Sequence, residues 1–270
     1  MRFLINPQDR STWQVPNFEK IYWDGKKSSH CIVIPVINEG ARIHNLLDRI
    51  RKIGADKIAD LIIVDGGSTD NSLEPVALKN YGVRALLLKT GQGKLGAQLR
   101  CAYAFALDQG YEGIVTIDGN NKDDPSAIQA FINSLKDGWD FVQASRFIPG
   151  GTALNTPISR NFGIRFIHAP VLSLFSGFAW TDTTQGFRAY SRKMLLSSDI
   201  SIFRDIFSSY ELLAYLSYRA PRMGYKCIEL PTSRQYPKGN IPTKISTFKG
   251  NFLILKILIL TCTGFYNPKN

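Results

Sequence analysis

Apolar runs recur through the first half of the chain, and each ends in a turn of polar residues and glycine. The first run is followed by a segment, 41–53, whose apolar residues recur at helical spacing, and a second helix is expected from the 91–96 turn to about Gln109. Strands that alternate with helices predict an α/β fold with a mostly parallel sheet, which binds ligands at the carboxyl ends of its strands. The apolar runs lie at 31–37, 61–64, 83–88 and 113–117.

The last of these runs stops abruptly at Asp118, and a polar stretch rich in carboxylates and amides follows as far as Pro125. A buried strand with this profile would deliver the Asp118 carboxylate to the edge of the sheet. The cluster there suits a divalent cation or a pyrophosphate, held by oxygen ligands and one ammonium group. The alternative is an ordinary strand-to-helix turn in which Asp123 or Asp124 caps the helix.

The net charge changes the picture, because 270 residues with a formal charge of +11 imply an anionic partner. That partner could be nucleic acid, an anionic membrane surface or a phosphorylated small molecule. Nucleic acid is disfavoured, since the cations fall in loops after strands and no nucleic-acid-binding motif is present. Histidines and cysteines lack metal-ligand spacing, which excludes a zinc site and favours a reducing, cytoplasmic location.

The glycine-rich turn at 91–96 also carries a lysine, Lys94. It has neither the Gly-Lys-Ser/Thr of a phosphate-binding loop nor the position of a dinucleotide fingerprint. Lys94 precedes an expected helix, so it is a candidate for contacting an anion of the ligand. A plain connecting loop explains the turn nearly as well.

Several motifs together resemble glycosyltransferase family 2. In the first half they are Pro35 with Asn38-Glu39, the 64–70 turn, Lys94-Leu95-Gly96 and the Asp118 turn. The motifs of the second half are similar to those of the dolichol-phosphate mannose synthase branch. These are Ser145-Arg146-Phe147-Ile148-Pro149-Gly150-Gly151, Ser159-Arg160, Asp182-Thr183-Thr184-Gln185-Gly186-Phe187-Arg188, and Arg234 with Lys244.

The resemblance implies a GT-A fold and an inverting transfer from a nucleotide-sugar donor to a polyprenyl phosphate acceptor. It implies a catalytic domain over 31–245. Residues 1–30 show no sustained strand or helix periodicity, and we expect them to form an arm packed on that domain. Asp118 matches the position that meets ribose or metal. The implied base and ribose contacts are Pro35, Glu39 and Asp65, and the implied phosphate contacts are Arg146, Arg160, Arg234 and Lys244.

Two departures from the family pattern bear on the nucleotide and the metal. The family's Asp-Asp-Gly-Ser is Asp65-Gly66-Gly67-Ser68 here, which leaves the base open. The branch's Asp-x-Asp-x-Gln corresponds to 118–122, where Asn120 replaces the second aspartate and Lys122 replaces the glutamine. A Mg²⁺ or Mn²⁺ ion held by Asp118 and Asn120, with help from the two following aspartates, is one hypothesis. Partial replacement of the cation by Lys122 is the other.

The acceptor determines the chemistry. A lipid phosphate is already anionic and needs no general base, so Asp182 would organise Arg188 or the cations on the acceptor side. A sugar hydroxyl, as in polysaccharide or glycolipid assembly, needs a base, and Asp182 or Glu211 is then the candidate. An inactive nucleotide-sugar-binding protein is a further alternative.

Alanine at Asp118 or Arg146 is expected to remove transfer with little loss of stability, because both should lie outside the core.

Two apolar stretches, 161–180 and 252–260, are too short to cross a bilayer, which takes about 20 apolar residues. The mannose synthase branch has helices lying on the membrane at the first stretch. We therefore expect 246–270 to form an amphipathic interfacial helix, with Lys244, Lys249 and Lys256 toward anionic headgroups. Attachment would be peripheral, on the cytoplasmic face. A buried core helix or a homo-oligomer contact is the alternative.

Overall fold

A computed structural model of the protein describes residues 9–237 and 248–268. The described residues form an eight-stranded sheet and a separate two-stranded sheet. The strands are β1 (Phe18–Trp23), β2 (His30–Val36), β3 (Asp60–Asp65), β4 (Val83–Lys89), β5 (Gly113–Thr116), β6 (Phe141–Ser145), β7 (Thr152–Leu154), β8 (Arg188–Ser191), β9 (Cys227–Pro231) and β10 (Ser233–Gln235).

Helices cover both faces of the large sheet. They are α1 (Ala41–Lys52), α2 (Pro75–Asn80), α3 (Leu95–Asp108), α4 (Ile128–Lys136), α5 (Ile158–Phe162), α6 (Ala169–Ser176), α7 (Arg192–Leu195), α8 (Glu211–Arg222) and α9 (Phe248–Cys262). A π-helical segment, Gly163–His168, joins α5 to α6, and short 3₁₀ segments occupy Arg10–Thr12, Ala55–Lys57 and Pro125–Ala127.

The large sheet has the strand order β1-β4-β3-β2-β5-β8-β6-β9. Strands β1 and β8 run antiparallel to their neighbours, and the remaining pairs are parallel. The mostly parallel sheet and the four apolar runs predicted as strands are therefore confirmed, as are the helices predicted after β2 and β4.

Burial on both faces explains why the central strands are apolar throughout. Within β2, Cys31 and Val33 face a core that includes α3 and α8, while Ile32 and Ile34 face a second core that includes α1 and α4. Side chains alternate between the two faces of a strand, and helices cover both faces here. A continuous apolar run is the sequence pattern that results.

The N-terminal arm contributes β1 to the edge of the sheet, which the sequence analysis did not predict. β1 pairs antiparallel with β4 and carries an irregularity between Lys20 and Tyr22. Most of its side chains are exposed or half-buried, so it lacks the apolar periodicity of the inner strands. Before β1, Trp13 stacks on Phe203 with ring centroids 3.8 Å apart.

The direction of β8 brings a later part of the chain to the edge where β5 and β6 end. Because β8 runs opposite to both neighbours, the loop before it, 182–187, lies at their carboxyl ends. The small sheet reaches the same region. The backbone N–H of Asp124 donates to the Ser233 carbonyl at 2.9 Å, and the N–H of Gln235 donates to the Lys122 carbonyl at 2.8 Å.

The segment from α5 to α6 packs against α8 and α9 and leaves many apolar side chains exposed. On α9, Ile257 and Leu258 are buried, whereas Phe252 and Ile259 are more than half exposed. No helix within 9–237 or 248–268 combines the length and the apolar character needed to cross a bilayer. The exposed apolar residues from α5 to α6 are Ile158, Phe162, Phe166, Ile167, Leu174 and Phe175.

Candidate active site

Two turns that follow β2 and β3 are fastened to each other at the carboxyl edge of the sheet. The Asp65 carboxylate accepts bonds from the N–H groups of Gly67 and Ser68, at 3.1 and 2.8 Å, and from the Ser68 hydroxyl at 2.7 Å. Asn38 lies in the left-handed region with φ of 51°, and its side-chain oxygen accepts from the Thr69 N–H at 2.7 Å. The two turns therefore form one rigid wall.

Behind this wall, the side chain of Gln98 on α3 forms hydrogen bonds to both β2 and β3. Its amide nitrogen donates to the carbonyls of Val36 and Val64, at 2.8 and 2.5 Å. Both carbonyls lie near strand ends, where the sheet hydrogen bonding stops. A shallow concavity of about 220 Å³ opens beside Asp65, lined by side chains that include Ser72 and Leu88.

Asp118 follows β5 and lies against a buried ion pair. Arg234 contacts Asp123, which is fully buried, and its other terminal nitrogen lies 3.3 Å from Asp118. Burial acts to lower the pKa of Arg234, but the Asp123 and Asp118 carboxylates outweigh it and hold that pKa above its ordinary value. Arg234 therefore stays charged and fixes the position of Asp118.

Arg146 follows β6 and forms a second buried ion pair with Asp182. The guanidinium donates to both carboxylate oxygens, at 2.6 and 2.9 Å, and to the Thr184 hydroxyl at 3.2 Å. Burial opposes the charge on Arg146, but Asp182 outweighs it and raises the pKa of Arg146. The remaining terminal nitrogen, Nη1, is buried and has no hydrogen-bond partner among the described residues.

Tyr236 lies at the centre of the cations. Its ring is 4.9 Å from the Lys122 ammonium and 5.7 Å from each of the Arg160 and Arg234 guanidinium carbons. Arg160 also donates to the Tyr236 hydroxyl at 3.0 Å. Burial alone would raise the pKa of Tyr236, yet Arg234, Arg160 and Arg146 together lower it. Three cations around one ring create a positive potential that favours an anion at this place.

The family of the chain follows from a family model, Glycosyl transferase family 2, which matches residues 31–197. The chain belongs to this family. Several curated relatives of this glycosyltransferase are similar over most of their length. Polyprenol monophosphomannose synthase of Mycolicibacterium smegmatis is 26% identical over 207 residues, covering 74% of this chain and 75% of the relative. Dolichyl-phosphate hexose transferase of Haloferax volcanii is 29% identical over 231 residues, covering 86% and 92%.

Solved structures of the same fold include glucosyl-3-phosphoglycerate synthase from Mycobacterium tuberculosis. In its complex with Mg²⁺ and uridine diphosphate, it matches the glycosyltransferase with a TM-score of 0.60 and 17% identity, covering 91% of this chain and 82% of that one. The same synthase with Mn²⁺, uridine diphosphate and glucosyl-3-phosphoglycerate gives a TM-score of 0.57. At this identity the likeness shows the GT-A-like fold.

The glycosyltransferase fold gathers most of the candidate residues at one edge of the sheet, in two groups. Pro35 is buried in β2 beside the Asp65 wall, and Glu39 is buried and paired with Arg42 at 2.8 Å. Lys94 is exposed before α3, where its N–H donates to the Ser208 carbonyl at 2.7 Å. Lys244 lies outside the described residues. The cation group consists of Lys122, Arg146, Arg160 and Arg234, next to Asp118.

One of the two alternatives for Asp182 and one expectation for Arg146 were wrong. Asp182 does not organise Arg188 but the other alternative, a cation of the group, because both of its oxygens hold Arg146. Arg188 instead donates to backbone carbonyls, including those of Gln185 and Thr183 at 2.8 Å each. Arg146 was expected outside the core, but its side chain is only 1% exposed. The antiparallel β8, which places Asp182 beside the end of β6, is the reason for both differences.

Sequence reasoning missed Gln98 and Tyr236. Gln98 lies within a mostly apolar helix, where only its contacts with two strand ends reveal its role. Tyr236 follows Arg234 by two residues on the same short extended segment. Residues two apart in an extended segment point to the same face, so this spacing could have indicated that Tyr236 lies beside Arg234.

The family resemblance implies Mg²⁺ or Mn²⁺ at Asp118 and Asn120, and the residues present do not fit such an ion. Asp118 is held by Arg234, and Asp123 is buried against the same guanidinium. Asp124 caps Pro125–Ala127 and pairs with Arg49 at 3.0 Å. Within 9–237 and 248–268, no three His, Cys, Asp or Glu side chains are grouped so as to hold a metal.

A glycine opposite Asp118 provides a test of its position. A Cβ at Gly186 would overlap Oδ1 of Asp118 and lie 3.0 Å from its Cγ. We expect Gly186→Ala to displace the carboxylate and to lower the turnover number about a hundredfold. The matched control is Gly163→Ala, because a Cβ there meets no atom within 4 Å. Initial rates of sugar transfer are measured for both variants. A Gly186→Ala enzyme as fast as the control would show that the position of the Asp118 carboxylate does not matter for transfer.

Proposed function

We propose that the enzyme transfers a sugar from a nucleotide-sugar donor to a polyprenyl phosphate at the cytoplasmic face of a membrane. The observation that carries the proposal is the cation group next to Asp118. Lys122, Arg160 and Arg234 lie around the Tyr236 ring, and Arg146 is near enough to lower the pKa of Tyr236. A reaction between a nucleotide sugar and a lipid phosphate brings two phosphate-containing groups to one place. Relatives named for mannose or hexose transfer to polyprenyl or dolichyl phosphate support the same acceptor.

The donor would lie along the wall formed by the two fastened turns. Asp65 and Glu39 are carboxylates at that wall, suited to ribose and base hydrogen bonds, and the concavity beside Asp65 offers room for the nucleoside. Asp118 stands between the wall and the cations, which suits contact with the ribose or the sugar. The diphosphate would then meet Lys122 and Arg234.

The transfer itself consists of one displacement. A phosphate oxygen of the acceptor attacks the anomeric carbon of the sugar. The bond from that carbon to the donor phosphate breaks, and its electron pair leaves with the nucleoside diphosphate. The nucleophile is anionic, so no proton has to be removed from it, and catalysis consists of alignment and stabilisation of charge.

The two carboxylates that could serve as a general base are already engaged. Both oxygens of Asp182 accept bonds from Arg146. Glu211 accepts from the Ser209 N–H at 2.5 Å, at the start of α8. This engagement favours an acceptor that needs no base over a sugar hydroxyl.

On the acceptor side, the proposed phosphate contacts are Arg146 and Arg160. Nη1 of Arg146 is buried without a partner and can donate to a phosphate oxygen. Arg160 lies on α5, next to the exposed apolar side chains of the same helix. A lipid whose phosphate meets Arg160 can therefore keep its chain in the apolar surface beside it.

We further propose that this apolar surface, from α5 to α6, rests on the membrane. Ile158 and Leu174 are 88% and 80% exposed, and Phe166 is 63% exposed. Arg165 is also exposed and suits anionic headgroups. Contact of this kind gives peripheral attachment, with the cation group within reach of lipid phosphates.

Binding to vesicles tests the apolar surface. We expect Phe166→Glu and Leu174→Glu each to weaken binding to phosphatidylglycerol-containing vesicles about tenfold, because an apolar contact is lost and a charge faces the anionic headgroups. Val76→Glu is the matched control, since Val76 is 76% exposed but lies on α2, across the sheet. Co-sedimentation measures all three variants. Equal binding by the Phe166, Leu174 and Val76 variants would refute the assignment.

The function is tested by following label from a panel of uridine, guanosine and cytidine nucleotide sugars. We expect label in the organic phase when polyprenyl phosphate is supplied. Label that appears only on saccharide acceptors would favour transfer to a hydroxyl, and donor binding without any transfer would favour an inactive binding protein.

A further inference from the structure

The carboxylates around Asp118 are committed to side chains of the protein. Arg234 holds Asp123 and Asp118, and Arg49 holds Asp124. A Mg²⁺ or Mn²⁺ ion needs several oxygen ligands, and a guanidinium 3.3 Å from Asp118 competes directly with such an ion. These carboxylates are therefore poorly placed to hold a metal ion that would neutralise a diphosphate.

Positive charge is supplied at the same position by side chains. Lys122 lies over the Tyr236 ring, with its ammonium 4.9 Å from the centroid. Its backbone is held on both sides, because its N–H donates to Asn120 at 3.1 Å and its carbonyl accepts from Gln235 at 2.8 Å. The backbone of Lys122 is thus fixed between the turn that carries Asp118 and the strand that carries Arg234.

Three cations, Lys122, Arg160 and Arg234, lie around the Tyr236 ring, and two carboxylates, Asp118 and Asp123, balance part of their charge. The Lys122 ammonium and the Arg234 guanidinium carbon lie 4.9 and 5.7 Å from the centroid of the same ring, so their positive charges repel each other. A doubly charged anion placed between the two cations removes their repulsion and gains charge-assisted hydrogen bonds. The site therefore has the electrostatic character of a diphosphate-binding site.

We propose that Lys122 and Arg234 take the place of the divalent cation, so that the enzyme binds its nucleoside diphosphate without metal. The inference rests on the proposed function and concerns the leaving group of that reaction. Lys122 and Arg234 donate hydrogen bonds to the diphosphate oxygens and stabilise the negative charge that develops as the anomeric bond breaks. They form no covalent bond and transfer no proton.

Direct binding tests the proposal independently of the acceptor. Uridine, guanosine and cytidine diphosphate are each titrated calorimetrically into the enzyme, once with EDTA and once with Mn²⁺. For the nucleotide that binds, we expect the two dissociation constants to agree within about twofold. We expect Lys122→Gln to weaken binding about tenfold in EDTA, the size of one charge-assisted hydrogen bond, and Lys122→Arg to retain it.

The matched control is Lys136→Gln, an exposed lysine at the end of α4 away from the carboxyl edge of the sheet, which should bind as wild type does. A double variant, Asn120→Asp/Lys122→Gln, restores the family's Asp-x-Asp-x-Gln pattern and should bind more tightly with Mn²⁺ than with EDTA. Wild-type binding that improves about tenfold or more with Mn²⁺ overturns the inference and leaves the proposed function intact. Binding of none of the nucleotides in either buffer contradicts the proposed function as well.

Discussion

Arg146→Ala is expected to abolish transfer and to lower the free energy of unfolding by about 3–5 kcal/mol. Arg146 and Asp182 are a bidentate pair, with contacts of 2.6 and 2.9 Å, and their side chains are 1% and 0% exposed. Alanine would leave the Asp182 carboxylate buried without its partner, which is the costly way to break such a pair. Urea denaturation and transfer rates, measured on the same preparation, separate stability from activity.

A double variant separates folding from catalysis more sharply. Arg146→Met/Asp182→Leu removes both charges and fills the space with apolar groups, which should recover most of the lost stability. We expect it to stay inactive, because it lacks the Nη1 group of Arg146 that is proposed to donate to the acceptor phosphate. The exposed Arg51→Ala serves as the control for both measurements. A wild-type unfolding midpoint for Arg146→Ala, or turnover by the double variant, would contradict these roles.

Asp118→Asn is expected to lower turnover about 100- to 1000-fold while changing the free energy of unfolding by less than about 1 kcal/mol. The side chain of Asp118 is 23% exposed, and Arg234 keeps its buried partner Asp123 when Asp118 is neutralised. The buried Arg234–Asp123 pair thus remains intact, and the protein loses the carboxylate proposed to lie between the nucleoside wall and the cation group.

The control for Asp118→Asn is Asp137→Asn, which removes an exposed carboxylate after α4. Both variants are compared by initial transfer rates and by thermal unfolding. A large drop in stability for Asp118→Asn would mean that Asp118 is structural. Wild-type turnover would remove it from the active site.

The central strands could be predicted because burial on both faces gives them continuous apolar runs. The structure confirms those strands and the helices between them. The edge strand β1 escaped prediction since it is half exposed, and its partner β4 lies far along the chain. A local pattern carries no information about such a pairing.

For the candidate site too, local sequence patterns predicted single residues but not their partners from distant parts of the chain. Asp118 was predicted to reach the sheet edge, because an apolar run ends at that residue. The alternative prediction, that Asp123 or Asp124 caps the next helix, is confirmed for Asp124, which caps the following 3₁₀ segment. Asp123 is instead buried against Arg234. The pairing of Asp182 with Arg146 depends on the insertion of β8 between β5 and β6, which no local signal reveals.

The central claim is that the nucleophile is an anionic lipid phosphate. The most direct test supplies the enzyme with donor and an equimolar mixture of polyprenyl phosphate and the corresponding polyprenol, followed by mass spectrometry of the lipids. We expect the sugar on polyprenyl phosphate alone, joined through the phosphate oxygen. Glycosylated polyprenol, or sugar on neither lipid and on saccharide hydroxyls instead, would contradict the claim.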